Sequence, residues 1–164
     1  MFRAPDSAAR ISRDGFHYDD GLLDRRGLRS RKVSPATFDV GGLRHMLLRL
    51  RACDEPEVAI PVFDRALEIS RAGAGIVPAE VRTLVIDGNY LLLNQEPWRQ
   101  LSSLFDVTVM VRESPASLES RLIRRWLSYG FSEAEARAKV SGNDRPNIDL
   151  VLTGSLQADF EIAS

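Results

Sequence analysis

The chain has 164 residues, of which 44% are hydrophobic and 27% are charged. This length supports one domain with a substantial core and is short for two. Because 22 Lys and Arg residues balance 23 Asp and Glu residues, the formal net charge is −1, which argues against nucleic acid or an anionic membrane as the main partner. A single cysteine excludes an internal disulfide framework and a multi-cysteine zinc site. No apolar stretch approaches the roughly 20 residues that cross a bilayer.

These properties predict a cytoplasmic protein, since a lone thiol suits a reducing compartment. The charge is unevenly distributed along the chain. Residues 1–51 contain 11 basic and 6 acidic side chains, whereas residues 52–164 contain 11 basic and 17 acidic side chains. A basic first third is compatible with an anionic ligand, although an ordinary solvated surface is the simpler explanation.

In the first half of the chain, local patterns predict few regular elements. Residues 1–13 are polar and Arg-rich and are expected to be disordered or at most a poor strand. Residues 15–35 have the composition of a loop. Apolar side chains at i, i+3, i+4 and i+7 predict an amphipathic helix over residues 40–52. Residues 58–63 predict a short strand, and Pro61 within it places that strand at a sheet edge or outside the main sheet.

The second half of the chain alternates strands with helices more clearly. Strands are predicted at 81–86, 107–111 and 158–162, and helices at 97–101, 115–129, 132–142 and 147–154. The first two strands are continuous apolar runs, which are typical of a parallel sheet covered on both faces. Ser132 and Glu135 form the capping-box pattern of the third helix. The alternation predicts the α/β class with a doubly wound, mainly parallel sheet.

Two short segments each place a lone carboxylate where an apolar stretch or strand runs into a glycine turn. They are R-D-G-F-H, which contains Asp14, and L-V-I-D-G-N-Y, which contains Asp87. Enzymes of phosphoryl transfer hold acidic side chains at such positions. No G-x-x-x-x-G-K-[ST] pattern occurs in residues 1–164. The loop of backbone N–H groups that cradles nucleotide phosphates is therefore not encoded in these residues.

Further segments accompany these two in a characteristic order. They are D-G-F-H-Y-D-D at 14–20, R-G-L-R at 26–29, S-P-A-T-F-D at 34–39, F-D-R at 63–65, D-G-N-Y-L-L-L at 87–93 and R-L-I-R-R at 121–125. The ordered set resembles the uridine kinase/phosphoribulokinase/pantothenate kinase family of P-loop kinases. Within that family it looks most like bacterial nucleoside/nucleotide kinase-like proteins named after fructose transport systems. The resemblance covers residues 14–162, and Arg13 departs from it because related proteins carry an apolar residue there.

The resemblance implies a single P-loop kinase-like domain over residues 1–164, with a lid-like helical region at 115–145. The first strand, the P-loop and the first helix of the family are not found in these residues. The implied cofactors are ATP and Mg²⁺. Asp14 is then the candidate general base, because transfer to a hydroxyl group needs a carboxylate within hydrogen-bond reach of its proton. Asp87, together with Asp14, is the candidate magnesium site.

On residue type alone, Asp14 and Asp87 are also explained as turn-forming aspartates that precede a glycine. The residues expected to contact substrate are His17, Tyr18, Asp64, Arg65 and Tyr90. The planar guanidinium of Arg65 can bind an anionic or polyhydroxyl group if the adjacent Asp64 orients it. A surface ion pair explains these two residues equally well, and His17 is as readily a structural hydrogen-bonding residue.

Arg121, Arg124 and Arg125 are spaced so that they share one side of a predicted helix. The resemblance implies that they belong to a lid that closes over the phosphates, where cations stabilise the transferring group in catalysis. Cations near a helix C-terminus also interact favourably with the helix dipole without any catalytic role.

The sequence thus predicts an ATP-dependent phosphotransferase that acts on the hydroxyl group of a small molecule, a sugar or a nucleoside, and that is inactive as these 164 residues alone. The expected partner is that small molecule, without nucleic acid or membrane, and association into a homo-oligomer is left open. Three alternatives remain: a kinase whose P-loop lies upstream of residue 1, a non-catalytic binding remnant, and a fragment that cannot bury its sheet.

Overall fold

Residues 8–163 are described by the computed structural model, so the expectation for residues 1–7 lies outside the described range. The described chain divides into two compact units. The first runs to Leu91 and includes Glu96–Leu104, and the second comprises Leu92–Gln95 and the residues from Phe105 onward. The single domain expected from the sequence over residues 1–164 stays a prediction.

The described residues form six strands and five α-helices. The strands are β1 (Ala8–Ser12), β2 (Glu57–Asp64), β3 (Ile69–Pro78), β4 (Thr83–Asp87), β5 (Val109–Arg112) and β6 (Phe160–Ala163). The α-helices are α1 (Asp20–Arg25), α2 (Val40–Ala52), α3 (Pro115–Ser128), α4 (Glu133–Lys139) and α5 (Arg145–Gly154). Short 3-10 helices occupy Arg13–Phe16, Arg29–Arg31, Pro35–Thr37 and Trp98–Leu104, and a π-helical turn occupies Val140–Asp144.

In the first unit, β1 and β4 form a parallel pair whose register runs from Ala8 opposite Thr83 to Ser12 opposite Asp87. The polar segment before Asp14 is therefore an ordered strand, because its one large apolar side chain, Ile11, is buried in the core. The predicted strand at 81–86 is confirmed with its end one residue later. It is not buried throughout, since its side chains alternate between exposed and half-buried.

β2 and β3 form an antiparallel hairpin that is separate from the parallel pair. The position predicted for the strand with Pro61 is confirmed, because the hairpin register shifts between Ile60 and Val62. Proline has no N–H for the ladder, so it is accommodated at such an irregularity. β3 is missing from the sequence-based prediction, since Gly73 and Gly75 interrupt its apolar pattern and lower its strand propensity.

The predicted helix at 40–52 is confirmed as α2, which begins after Asp39. The Asp39 carboxylate accepts a hydrogen bond from the Gly42 amide at 2.8 Å, as an N-cap should. The loop predicted at 15–35 is wrong in part, because α1 forms within it. Asp19 caps this helix through the Gly21 amide, and Leu23 anchors the helix by complete burial.

The core of the first unit collects apolar and aromatic side chains from β1, α2, the hairpin and the segment after β4. Its buried members are Ile11, Phe16, Leu23, Phe38, Val40, Leu43, Met46, Leu47, Val58, Ile60, Val77, Tyr90, Leu91, Trp98 and Leu101. Three of the rings, those of Phe38, Tyr90 and Trp98, contact one another edge to face, an arrangement that adds to the hydrophobic gain of burial.

In the second unit, β5 and β6 form a parallel pair. The predicted capping box is confirmed at α4, where Ser132 and Glu135 exchange hydrogen bonds. The helix predicted to stop at Gly142 does not stop there. The π-helical turn carries the backbone past this glycine into α5, whose first turn accommodates Pro146.

The apolar residues of β5 are not covered on both faces, which corrects the expectation from its continuous apolar run. Val109 lies opposite Phe160 and Val111 opposite Ile162, and all four side chains are about half exposed or more. Residues in register on a parallel pair share a face, so they form one apolar surface. The sheet has only two strands, which is too narrow to shelter that surface.

The predicted α/β class with parallel strands is confirmed in both units. In residues 8–163 the pairing takes the form of two parallel pairs and one hairpin. None of the helices in this range is long and apolar enough to span a membrane.

Gly15 offers a test of how closely the hairpin approaches the turn after β1. A Cβ atom at this position would lie 2.5 Å from the Pro61 carbonyl oxygen. We expect Gly15→Ala to lower the free energy of unfolding by about 1–3 kcal/mol, because backbone must move to relieve the overlap. Urea unfolding of both proteins measures the difference.

Gly41→Ala is the matched control. A Cβ atom there would meet the Asp39 carboxylate at an ordinary 3.6 Å, and Gly41 lies in the first turn of α2. We expect this variant to be as stable as the natural chain, or more stable by up to about 1 kcal/mol. Equal stability of both variants would show that the hairpin does not pack on the turn.

Candidate active site

The two candidate acids, Asp14 and Asp87, lie at the adjacent ends of β1 and β4. Parallel register places Ser12 opposite Asp87, and the Ser12 hydroxyl donates to Asp87 Oδ2 at 3.2 Å. The same hydroxyl oxygen accepts the backbone N–H of Asp14 at 3.3 Å. One serine therefore joins the turn that carries Asp14 to the carboxylate of Asp87.

Arg10 holds the other oxygen of Asp87. Its Nε atom donates to Asp87 Oδ1 at 2.8 Å, and this bond, together with the charge of Asp87, raises the pKa of the arginine. Arg10 and Ser12 are two residues apart on β1, so they face the same side of the strand. Both are thereby directed at Asp87.

Arg13 is the most unusual residue of the site, because its guanidinium is buried with only 3% of the residue exposed. Its Nη2 atom donates to Asp14 Oδ1 at 2.9 Å. The guanidinium carbon lies 4.0 Å from the centroid of the Phe38 ring and 5.1 Å from that of Tyr90. Burial lowers the pKa of Arg13, although Asp14 partly opposes the shift, and the group stays charged at neutral pH.

Gly88 makes room for this arginine. A Cβ atom at Gly88 would lie 2.7 Å from Arg13 Cβ and 3.1 Å from its Nε. The Nε and Nη1 atoms of Arg13 have no hydrogen-bond partner among residues 8–163. Gly88, which follows Asp87, is therefore required by the side chain of Arg13, which precedes Asp14.

The hairpin contributes a second arginine to Asp14. Arg65, in the turn between β2 and β3, donates from Nη2 to Asp14 Oδ2 at 2.8 Å, and its side chain is 73% exposed. Ser70 donates to the Asp14 carbonyl oxygen at 3.4 Å. The hairpin thus contacts both the side chain and the backbone of the candidate base.

Asp64 does not play the expected role of orienting Arg65. Its Oδ1 atom accepts the backbone N–H groups of Ala66 and Leu67, and its Oδ2 atom accepts Arg71 at 3.3 Å. These bonds lower the pKa of Asp64, with the Leu67 amide as the largest cause. Asp64 shapes the hairpin turn, because its side chain reaches forward along the chain to the turn amides.

His17 is packed between aromatic rings. Its ring centroid lies 4.0 Å from that of Phe38 and 5.2 Å from that of Phe63. Desolvation by this burial lowers the pKa of His17 to about 4, although Asp14 opposes the shift. His17 is therefore neutral at pH 7, and its Nδ1 atom has no hydrogen-bond partner within the described range.

The two tyrosines expected to contact substrate lie in different surroundings. Tyr18 is half-buried, with Arg26 stacked 4.6 Å from its ring centroid. Tyr90 is fully buried, and its hydroxyl donates to the Val33 carbonyl oxygen at 3.0 Å. This corrects the expectation that Tyr90 contacts substrate, because a side chain enclosed in the core is not accessible to a substrate.

Two cations of the basic segment at residues 25–32 are engaged by one acid of the same unit. Asp20 accepts ion pairs from Arg29 and Lys32, both at 2.7 Å. The local charge excess found in the sequence is therefore partly neutralised inside the first unit.

Arg121, Arg124 and Arg125 lie on α3 in the second unit. Arg121 pairs with Glu113 at 3.5 Å, and Arg125 pairs with Asp144 at 3.9 Å. Arg124 donates to the Ser120 carbonyl oxygen. Their assignment to a lid over the phosphates stays a prediction.

Sequence reasoning missed Arg10, Ser12 and Arg13 as members of the site. Arg13 carried a usable signal, because the resemblance implies an apolar residue at this position. Arg10 and Ser12 lie two residues apart on one strand, and this spacing indicates a shared partner only when the neighbouring strand is known.

The oxygen donors of this site fit a magnesium ion. Mg²⁺ is bound through one or two carboxylates, with water and substrate phosphates completing its shell. Asp14 and Asp87 supply carboxylates at adjacent strand ends, where Ser12 donates to the Asp87 carboxylate and accepts the backbone N–H of Asp14. Within residues 8–163, no group of three or more His, Cys, Asp or Glu residues forms a metal cage. The site thus suits a metal that is shared with a phosphorylated substrate.

Solved structures and curated sequences that resemble this chain identify its family. A solved structure from Silicibacter sp. TM1040, provisionally named a fructose transport system kinase, matches with a TM-score of 0.89 and 40% identity over 94% of this chain and 74% of that chain. YFH7 of Saccharomyces cerevisiae, provisionally described as a P-loop containing kinase with a circular permutation, matches in fold, with a TM-score of 0.78 and 21% identity over 96% of this chain and 58% of that chain.

YggC of Escherichia coli (strain K12) is 34% identical over 147 residues, which are 90% of this chain and 60% of YggC. No protein-family model matches the chain. On the match to the Silicibacter protein, the chain belongs to the P-loop kinase family. It spans 60% of the length of its Escherichia coli relative.

The burial of His17 leads to a prediction about how its ring titrates and how stability depends on pH. We expect its Cε1 proton signal to titrate with a midpoint of about 4. Because this value lies below the ordinary 6.5, neutral His17 contributes stability that is complete above about pH 6.5 and is lost as the pH falls toward 4. NMR titration measures the midpoint, with the exposed His45 as reference in the same spectra.

His17→Leu provides the control for the stability effect. This variant cannot gain a proton at position 17, so its unfolding free energy should fall less steeply between pH 6.5 and 4. A midpoint for His17 near 6.5, or an unchanged slope in the variant, would contradict the burial of this imidazole.

Proposed function

We propose that the chain carries the acceptor-binding part of an ATP-dependent phosphotransferase that acts on the hydroxyl group of a small molecule, a sugar or a nucleoside. The observation that carries this proposal is the single serine hydroxyl that joins the Asp14 turn to the Asp87 carboxylate. The family assignment supplies the reaction class, and the pairing of β1 with β4 supplies the geometry.

Asp14 is the proton acceptor in this proposal. Its carboxylate lies at the carboxyl end of a strand, is partly exposed, and is oriented by Arg13 on one oxygen. A carboxylate in hydrogen-bond reach of the acceptor hydroxyl can take its proton as the oxygen attacks phosphorus. Arg13 and Arg10 keep positive charge beside the two acids.

Asp87 would hold the magnesium ion of the nucleotide, next to Asp14. When bound, Mg²⁺ supplies charge neutralisation and orientation for the phosphate groups. The nucleotide phosphates also require a cradle of backbone N–H groups, and residues 1–164 contain no G-x-x-x-x-G-K-[ST] pattern. Losing one such donor typically costs about 10²–10³ in rate, so these residues by themselves should not transfer phosphate.

Two further assignments follow from the same proposal. Arg121, Arg124 and Arg125 serve as lid cations that stabilise the transferring group, as the family pattern implies. The protein acts in the cytoplasm, where its free and exposed Cys53 remains reduced.

The role of Asp14 is tested by phosphate transfer. The 164 residues alone should give no transfer from Mg-ATP to sugars or nucleosides. Joined in front of residue 8 to a strand, P-loop and helix, they should become active, and Asp14→Asn should then lower the rate by about 10²–10⁴. Radiolabelled ATP and chromatography of the products measure both quantities.

Asp24→Asn is the matched control, because Asp24 is an exposed aspartate on α1 and its change should leave the rate unaltered. Transfer by the 164 residues alone would overturn the need for an added phosphate cradle. An Asp14→Asn protein that keeps its rate would remove Asp14 as the base.

The proposed metal site is tested with Mn²⁺ as a paramagnetic stand-in. We expect Mn²⁺ to broaden the amide signals of Asp14 and Gly88 first, and Asp87→Asn to weaken binding by about tenfold or more, since even indirect metal partners contribute this much. Asp54→Asn, in an exposed loop, is the control. Broadening centred elsewhere, or unchanged in Asp87→Asn, would contradict the site.

A further inference from the structure

The two oxygens of Asp14 are held by arginines in very different settings. Oδ1 accepts Arg13, whose side chain is 4% exposed, and Oδ2 accepts Arg65, whose side chain is 73% exposed. A carboxylate that receives a proton from a substrate must present one oxygen to that substrate. In the structure, each oxygen already has a cationic partner at 2.8 or 2.9 Å.

Arg13 cannot release its oxygen without loss. Its guanidinium is stacked on Phe38, its stem packs on Gly88, and the ion pair with Asp14 is the compensation for burying its charge. A buried cation that loses its counter-ion is strongly destabilising. Oδ1 therefore remains occupied by Arg13 throughout.

Arg65 can release its oxygen, because water solvates most of its side chain. The turn that carries it does not depend on the contact with Asp14, since Asp64 secures that turn through the amides of Ala66 and Leu67. Asp64 also binds Arg71, so its two oxygens are both engaged. Oδ2 is thus the oxygen that an acceptor hydroxyl can reach, and the acceptor reaches it by displacing Arg65.

Displacing Arg65 breaks its ion pair with Asp14. The charge of the acceptor decides whether Arg65 gains a new partner. A neutral acceptor leaves the guanidinium with water alone. An acceptor with a phosphate or carboxylate group gives Arg65 a new anion, to which a planar guanidinium can bind through two parallel hydrogen bonds. The exchange then keeps the number of ion pairs constant.

We propose that the acceptor is an anionic small molecule whose phosphate or carboxylate group takes Arg65 from Asp14 and thereby exposes Oδ2 to the acceptor hydroxyl. Arg65 is the specificity-determining residue, and Arg13 is the residue that keeps the carboxylate in place during the exchange. This inference rests on the proposed function, in which Asp14 is the base.

Binding of matched probes to the 164-residue chain tests the inference. The probes are fructose, fructose 6-phosphate, gluconate and inorganic phosphate, and NMR shifts of the Asp14 and Arg65 amides report binding. We expect fructose 6-phosphate or gluconate to bind about tenfold or more tightly than fructose, as for a charge-assisted hydrogen bond. Whichever anion binds more tightly identifies the group as phosphate or carboxylate.

Arg65→Met should abolish this preference, so that the anionic and neutral sugars bind within about twofold of each other. Arg71→Met is the matched control, because Arg71 is an exposed arginine of the same hairpin that pairs with Asp64, and it should keep the preference. Since Arg65 is largely solvated, neither variant is expected to disturb folding.

Three results would overturn the inference: no saturable shift with any of the three anions, fructose binding as tightly as its anionic counterparts, or a preference that survives in Arg65→Met. Failure of the proposed function is recognised separately. In that case Asp14→Asn would keep its transfer rate, whatever the charge preference of the binding site. A charge preference lost in Arg65→Met with transfer still dependent on Asp14 supports both.

Discussion

A guanidinium that has no access to water must find its partners inside the protein, and this constraint on Arg13 organises the site around it. Its charge requires a carboxylate, which Asp14 supplies at 2.9 Å. The flat face of the guanidinium packs on the aromatic rings of Phe38 and Tyr90. Its stem excludes any side chain at position 88. Because a buried cation is costly unless it is paired, the loss of any of these contacts would destabilise the others. Together they fix the carboxylate of Asp14 in one orientation.

The antiparallel hairpin supplies the other boundary of the site. It approaches the turn after β1 so closely that only glycine fits at position 15, and it places Arg65 on the second oxygen of Asp14. The candidate base therefore lies between a cation that is fixed by burial and a cation that is free to exchange. A site with this asymmetry can respond to the charge of its ligand, since the exposed ion pair is easily replaced and the buried one is not.

The strand ends carry the candidate site of this member of the P-loop kinase family. Two acids at the carboxyl edge of a parallel pair are compatible with the chemistry of that family, and in this chain Ser12 bonds the carboxylate of Asp87 and the backbone N–H of Asp14. The resemblance implies an apolar residue at position 13, and the structure gives the arginine found there a physical role. The arginine lies beside the candidate base, where it forms an ion pair and stacks on a ring.

Local sequence patterns were enough to predict several elements and the family: helix α2 from its apolar spacing, the capping box of α4 from Ser132 and Glu135, and the candidate acids from their glycine turns. They also placed Pro61 at a sheet edge or outside the main sheet. The folded chain was needed to show that Arg65 contacts Asp14 and not Asp64, that Tyr90 is enclosed, and that β3 completes a hairpin. The reason is physical. Capping and periodicity act between residues a few positions apart, whereas a contact between Asp14 and Arg65, or between Ser12 and Asp87, exists only once distant strands have been brought into register.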